Sequence, residues 1–158
     1  MSRPVVVART VALPLGEAWA TAVDPRNRPR WVPLVRTAVD GLPLGVGTRV
    51  TALLGPFTAR GVPGLPDRQT VETFEPPQDG RPGRAVLVRT GPVLRGATTV
   101  EVAPAGAGAS TVTWSEEVHL AGPLPVGLTS ALLAPVVHLV VRRLPGGLGR
   151  EAARRVRR

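Results

Sequence analysis

The spacing of hydrophobic and polar residues changes character twice along this chain. Val5 to Ala12 is rich in β-branched residues and reads as a strand. Pro14 suits the first turn of a helix, where its missing N–H costs nothing. Ala18, Trp19, Ala22 and Val23 then recur at helical spacing. Asp24-Pro25 should end that helix, because the residue before a proline is pushed out of the helical region. A short irregular or helical turn from Arg26 to Trp31, closed by Pro33, follows.

From there to Leu120 the period is two. Val46, Val50, Ala52 and Leu54 alternate with Gly47, Arg49 and Thr51. Thr70 to Glu75 is stopped by Pro76-Pro77, and Ala85 to Thr90 and Ala97 to Ala103 flank a turn at Gly91-Pro92. Gly106 and Gly108 separate the last of these from Ser110 to Leu120, which makes them hairpin glycines rather than a phosphate loop. Short strands joined by Gly/Pro turns predict an antiparallel meander.

The final segment is apolar almost all round from Val126 to Val141, interrupted by Thr129, Ser130, Pro135 and His138. At ~100° per residue, Leu128, Leu132, Pro135, Val136 and Leu139 make one stripe. The run is shorter than the ~20 residues of a membrane span, so a buried helix is expected. Pro135 should kink it, and Pro145-Gly146-Gly147 should break or restart it. A sheet of this size needs its apolar face covered, and the last helix is the element available.

Composition narrows the chemistry. The chain has 158 residues, room for one domain with a real core. It has no Cys and no Tyr, and all 20 basic residues are Arg. Thiolate nucleophiles, Schiff-base lysines and the lysine of a phosphate loop are therefore excluded. His119 and His138 are the only imidazoles, so a three-histidine metal site cannot form. His119 with Glu117 and another carboxylate lacks ligand spacing, and neither metal nor cofactor is expected. Ser110 has no second glycine of a nucleophile elbow. Of the net charge of +9, most comes from the seven arginines after Val141, at 142, 143, 150, 154, 155, 157 and 158, set against Glu151 alone. Such a tail suits either a solubilising helix end, through the helix dipole, or an anionic surface. It lacks the interleaved aromatics of a nucleic-acid site, so no specific nucleic-acid partner is expected. The N-terminal residues lack a secretory pattern, which points to a cytoplasmic protein.

The ordered set Arg9-Thr10-Val11, Pro14, Glu17, Trp19, Asp24, Trp31-Val32-Pro33, Val46-Gly47, Glu75-Pro76-Pro77, Val102-Ala103-Pro104, Gly108 and Thr111-Val112-Thr113-Trp114 resembles the SRPBCC superfamily, also called START-like. Within it the chain is most similar to the polyketide cyclase/dehydrase and lipid-transport group. The similarity runs from about residue 5 to 144. It implies an α+β helix-grip fold: a curved antiparallel β-sheet wrapped around a long C-terminal α-helix, with two short N-terminal helices. The corresponding division is a ligand-binding domain over 1–144 and a basic, arginine-rich tail over 145–158, the end of the last helix. The resemblance further implies a hydrophobic cavity between sheet and helix for a lipid, polyketide or aromatic molecule. The prolines of the last helix and the stiff segment Gly61 to Pro66, a candidate rim for the mouth, depart from the family pattern.

Candidate polar groups follow from strand parity. Val112, Trp114, Val118 and Leu120 share a face with Glu116, so a concave placement would put a carboxylate in the cavity as an acid or base. The alternatives are a bulge, or a pair with an inward arginine such as Arg49 or Arg89. His138 lies ~120° from the stripe and is either a packed histidine or a hydrogen-bond partner for a ligand oxygen. Expected ligand contacts are Trp31, Phe57, Val88, Trp114, Leu132, Val136 and Leu139. The leading expectation is binding or transport of a small hydrophobic ligand. The alternatives are a cofactor-free cyclase or dehydratase using Glu116, with His138 or an arginine, and a surface-interaction protein using the basic tail.

Overall fold

The computed structural model describes residues 3–32 and 34–156. Pro33, expected to close the early turn, and Arg157 and Arg158 of the basic tail lie outside the described residues. Strand β1 (Val5–Val11) leads into helix α1 (Leu15–Val23), a 3₁₀ turn (Pro25–Asn27) and the single-turn helix α2 (Arg28–Trp31). Strands β2 (Val35–Asp40), β3 (Arg49–Leu54), β4 (Leu65–Glu75), β5 (Gly83–Arg89), β6 (Leu94–Pro104) and β7 (Ser110–Leu120) follow. Helix α3 (Val126–Val156) ends the described chain. The strands form one antiparallel sheet in the order β1-β7-β6-β5-β4-β3-β2, a meander from β2 to β7 with β1 closing onto β7. The α+β helix-grip architecture is thus the one observed.

Local signals account for most boundaries. Pro14 precedes the first turn of α1, and Asp24, in extended conformation, stops it. The Asp24 side chain then accepts from the Arg26 backbone N–H at 2.9 Å and begins the 3₁₀ turn. The hydrogen bond from the Arg26 guanidinium holds the Asp24 carboxyl below its ordinary value. The glycines between β6 and β7 close a hairpin. Strand β2 was not singled out by the alternation, and β4 begins at Leu65, inside the segment read as a stiff rim. A bulge between Val71 and Thr73 shifts the register of β4 against β5. It bends the strand and resets its parity, so that Phe74 joins Asp67, Gln69 and Val71 on the inner side.

The core lies between the concave sheet and α3. Val50, Val71, Val100, Val102, Val112 and Trp114 come from the sheet, and Val141, Leu144, Leu148 and Ala152 from the helix. Trp31 packs edge-on to Trp114, with ring centroids 6.2 Å apart. The expected break in α3 does not occur: the helix continues through Pro145-Gly146-Gly147, and Leu148 and Ala152 beyond that point belong to the core. The buried-helix expectation holds for one side only. Thr129, Leu133, Val137, Val140, Val141, Leu144 and Leu148 face inward, whereas the stripe of Leu128, Leu132, Val136 and Leu139 is exposed. Over Val126–Arg154 the helix is long and apolar enough to cross a membrane by length and composition, yet its inner side packs along the sheet.

The close packing of α3 on α2 depends on Gly147, which gives the Trp31 ring its seat: a Cβ there would overlap Cγ and Cδ1 of the indole. At Gly146 a Cβ would meet only arginine side-chain ends, no closer than 3.6 Å. Alanine substitution is therefore expected to give opposite signs at adjacent positions. In urea unfolding, Gly146→Ala should gain about 0.5–1 kcal/mol through helix propensity. Gly147→Ala should lose about 1–3 kcal/mol by overpacking the indole.

Candidate functional site

Inside the grip lies a cavity of about 320 Å³. Most of its wall is aliphatic: Val35, Ala52, Leu54, Leu94 and Val118 from the sheet side, and Leu133, Val136, Val137, Val140, Val141 and Leu144 from α3. Leu34, Pro56, Leu65 and Val136 line the cavity and are also exposed, so they border its mouth. The candidate rim is there in part, through Leu65 and the adjoining Gly55-Pro56.

Strand register brings a set of charged and polar side chains into this wall. Gln69 of β4 pairs with Arg89 of β5, Arg89 with Gly96 of β6, and Gly96 with Val118 of β7. Thr98 pairs with Glu116 one step further along β6 and β7. Gly96, between Leu94 and Thr98 on β6, has a φ of +123°, and a Cβ there would overlap the Glu117 backbone carbonyl, so only glycine lets β6 lie this close to β7 where Arg89 crosses it. Arg89 Nη2 donates to Glu116 Oε2 at 2.6 Å and Nη1 to the Glu117 carbonyl at 3.1 Å. Its Nε lies 3.2 Å from both oxygens of Asp67. Thr98 Oγ1 donates to Glu116 Oε2 at 2.8 Å, and Gln69 Nε2 to Asp67 Oδ2 at 2.6 Å. Arg89 and Glu116 are only 6% and 7% exposed. Burial works against the Arg89 cation, but the charges and hydrogen bonds of Glu116 and Asp67 outweigh it and raise its pKa.

Glu116 thus lies in the cavity wall and is paired there with Arg89 rather than Arg49. Both of its hydrogen bonds fall on Oε2, leaving Oε1 without a donor from the described residues. The Gln69 amide turns its nitrogen to Asp67, which strands Oε1 of Gln69 as a buried acceptor. Arg28 of α2 also lines the cavity; its backbone bonds to Pro25 and Val32, but its guanidinium has no hydrogen-bond or ion-pair partner among the described residues. It borders a second, much smaller void near Phe74 as well. The residue as a whole is half-buried. Burial lowers its pKa, against the attraction of Glu116 and with added repulsion from Arg89. An arginine stays cationic under such a shift.

The expected ligand contacts fare unevenly. Val136 lines the cavity. Trp31 and Trp114 do not; they are buried in the core beside the C-terminal half of α3. Val88 is on the opposite face of β5 from Ala85, Leu87 and Arg89, because side chains alternate along a strand. Leu132, 66% exposed, and Leu139 lie on the outer face of α3 with His138, whose ring is therefore not a cavity group. Phe57 is 53% exposed beside the mouth, under the guanidinium of Arg60. His119 lies on the convex face of β7 with its Nδ1 unpartnered. Asp67, Gln69 and Arg28 were missed. The first two precede the segment read as strand, and the third sits in a turn whose orientation no periodicity reveals. Among the described residues, no three His, Asp or Glu side chains gather as a metal-ligand set.

The family described as "Polyketide cyclase / dehydrase and lipid transport" matches residues 3–153. The chain belongs to this family. No curated protein matches it. Solved structures place the family member among START-like folds. The Zhui aromatase/cyclase from Streptomyces sp. R1128 is similar with a TM-score of 0.67 at 19% identity, covering 99% of this chain and 96% of the other. A START superfamily protein from Mycobacterium smegmatis gives 0.65 at 13%, covering 92% and 97%. Norcoclaurine synthase from Thalictrum flavum, in complex with dopamine and hydroxybenzaldehyde, gives 0.65 at 14%, covering 98% and 88%. At these identities the likeness is one of fold.

The Arg89 bridge makes a direct stability prediction. Arg89→Met would leave Asp67 and Glu116 buried with no cation between them, and should cost about 3–5 kcal/mol in urea unfolding. Thr98→Val removes one hydrogen bond to a charged oxygen and should cost less, about 1.5–3 kcal/mol. An Arg89→Met cost no larger than that of Thr98→Val would show that the bridge is not the main support of the buried carboxylates.

Proposed function

We propose that this protein binds and carries a small hydrophobic molecule of lipid, polyketide or aromatic type, in the cytoplasm. The observation that supports this reading most is the division of the cavity wall: aliphatic on most sides, with charge confined to the end where Arg28, Arg89, Asp67 and Glu116 meet. An apolar cavity with a few placed polar groups is the usual form of a small-molecule site, and about 320 Å³ suits one compact ligand. Three of the four charged groups are engaged with one another. The guanidinium of Arg28 is left to meet a ligand, so the oxygen-bearing end of the molecule, a carbonyl or an acidic oxygen, belongs against it. The apolar body then lies along Leu133, Val137 and Val140.

A second reading rests on the unengaged Oε1 of Glu116. With Arg28 polarising a ligand carbonyl, this oxygen is the group able to take or give a proton, as cyclisation or dehydration without a cofactor requires. Arg89 and Thr98 would hold the carboxylate in place while it did so.

Native mass spectrometry of the purified protein, with extraction of anything bound, tests the first reading. A bound apolar molecule with an oxygen at one end is the expected result. Ala52→Phe, which directs a ring into the cavity, should weaken binding of an apolar fluorescent probe by about tenfold or more. Arg28→Met should weaken only ligands with the oxygen function and leave the probe unaffected. An empty protein, with no thermal shift from a panel of such compounds, would count against the carrier. Glu116→Gln separates the second reading from the first: turnover lost with ligand affinity kept marks an acid–base residue, whereas intact turnover removes Glu116 from the chemistry.

A further inference from the structure

The outer face of α3 has two halves. At ~100° per residue, Leu128, Leu132, Val136 and Leu139 fall on one side of the helix, and Arg143, Arg150 and Arg154 continue the same side beyond them, with Arg142 at its edge. All eight residues are exposed, the first four by about half or more. Across α3 there is one acidic residue, Glu151, which is partly buried and pairs with Arg30. The apolar half is not isolated. Val136, 60% exposed, is also part of the cavity wall. Across the mouth, Pro56 and Leu65 flank a loop that exposes Phe57 and Val62, with Arg60 over the Phe57 ring.

We propose that this face docks on an anionic lipid bilayer, with the apolar half of α3 and the Phe57–Val62 loop entering the interface and the arginines seated on lipid phosphates. A helix lying in the membrane plane needs this combination of buried apolar side chains and peripheral cations. Three observations select the bilayer over other occupants. Nucleic acid would be met by the arginines but offers nothing to Leu128, Leu132, Val136 and Leu139. A second copy paired through the apolar halves would leave the arginines without acids, since this face carries none of its own. The inner side of α3 is committed to the sheet through Val141, Leu144, Leu148 and Ala152, so the helix lies on a membrane rather than across it. In this orientation the cavity mouth faces the lipid, and an apolar ligand passes between bilayer and cavity without crossing water. Docking stands on α3 and the loop alone; that transfer route rests on the carrier reading above.

The test is flotation of the full chain with phosphatidylcholine vesicles, with and without about 30 mol% phosphatidylglycerol, at about 0.1 and 0.5 M salt. Binding is expected to the anionic vesicles, with little to the neutral ones, and to weaken with salt. Leu128→Glu combined with Leu132→Glu lies outside the cavity wall and changes only exposed positions. It should lower vesicle binding by about tenfold or more while leaving circular dichroism and the affinity of a soluble apolar probe unchanged. Arg143→Ser and Arg150→Ser should each lower binding by about fivefold and flatten the salt dependence. Absence of binding to anionic vesicles would overturn the proposal. So would binding that survives the two glutamates, tighter binding to DNA or RNA at the same salt, or a dimer in sedimentation that the glutamates dissociate. Vesicle binding with an empty, probe-inert cavity would keep the docking surface and sink the carrier reading, so the two failures are distinguishable.

Discussion

Four strands of the sheet meet around a single buried guanidinium. Arg89, from the end of β5, contacts Asp67 on β4, reaches past Gly96 on β6 and binds both the side chain of Glu116 and the backbone of Glu117 on β7. Burying three charges in an aliphatic wall is costly unless each is paired and hydrogen-bonded. The register supplies the pairing. Gln69 adds a neutral donor to one oxygen of Asp67, and Thr98 adds one to one oxygen of Glu116. A sheet slipped by one residue would turn every member of this set to the outside. The bridge therefore ties the correct strand pairing to the existence of a polar end in the cavity.

Helix α3 carries three different environments on one apolar sequence. Its inner side forms the cavity wall from Leu133 to Leu144, then becomes solid core at Leu148 and Ala152. The transition coincides with Trp31 and Trp114, whose rings fill the space between sheet and helix. The cavity is thus the unfilled part of a gap that two tryptophans close elsewhere. Its outer side stays uncovered, with leucines and valines first and arginines after. Gly147 is what lets the filled end close, since any side chain there would displace the Trp31 ring.

The fold itself hosts more than one chemistry, and a helix-grip cavity alone does not choose between carrying a molecule and reacting with it. Little of the polar set in this cavity is free. Arg89, Asp67 and most of Glu116 are occupied in holding one another, which makes them supports for the site. The Arg28 guanidinium, one oxygen of Glu116 and the oxygens of Asp67 and Gln69 that accept no hydrogen bond are what is left over. They are few enough to orient a ligand at one end while the rest of the wall contributes only apolar contact.

Much of the architecture was legible locally. Proline and glycine punctuation, β-branched alternation and the late apolar run gave the element order and, with the family resemblance, the helix grip. On β7, strict alternation was enough to put Glu116 on the same side as Val112 and Trp114, but it left Arg49 and Arg89 both open as its partner. The choice of face on α3 was not legible. A helix apolar nearly all round has no single stripe, and the one read from spacing, Leu128, Leu132, Val136 and Leu139, turned out to be the exposed side. Similarly, Val88 follows its strand's alternation, but parity says nothing about which side is concave. Arg28 belongs to no pattern of its own, because a turn brings it to the cavity only once the sheet has closed, and Asp67 lies in the first part of β4, ahead of the segment whose alternation was read as strand. By itself, the sequence determined which residues share a face and where the chain turns, since both depend on neighbours a few positions apart. Which face looks inward was settled only by packing, because that depends on partners distant in the chain.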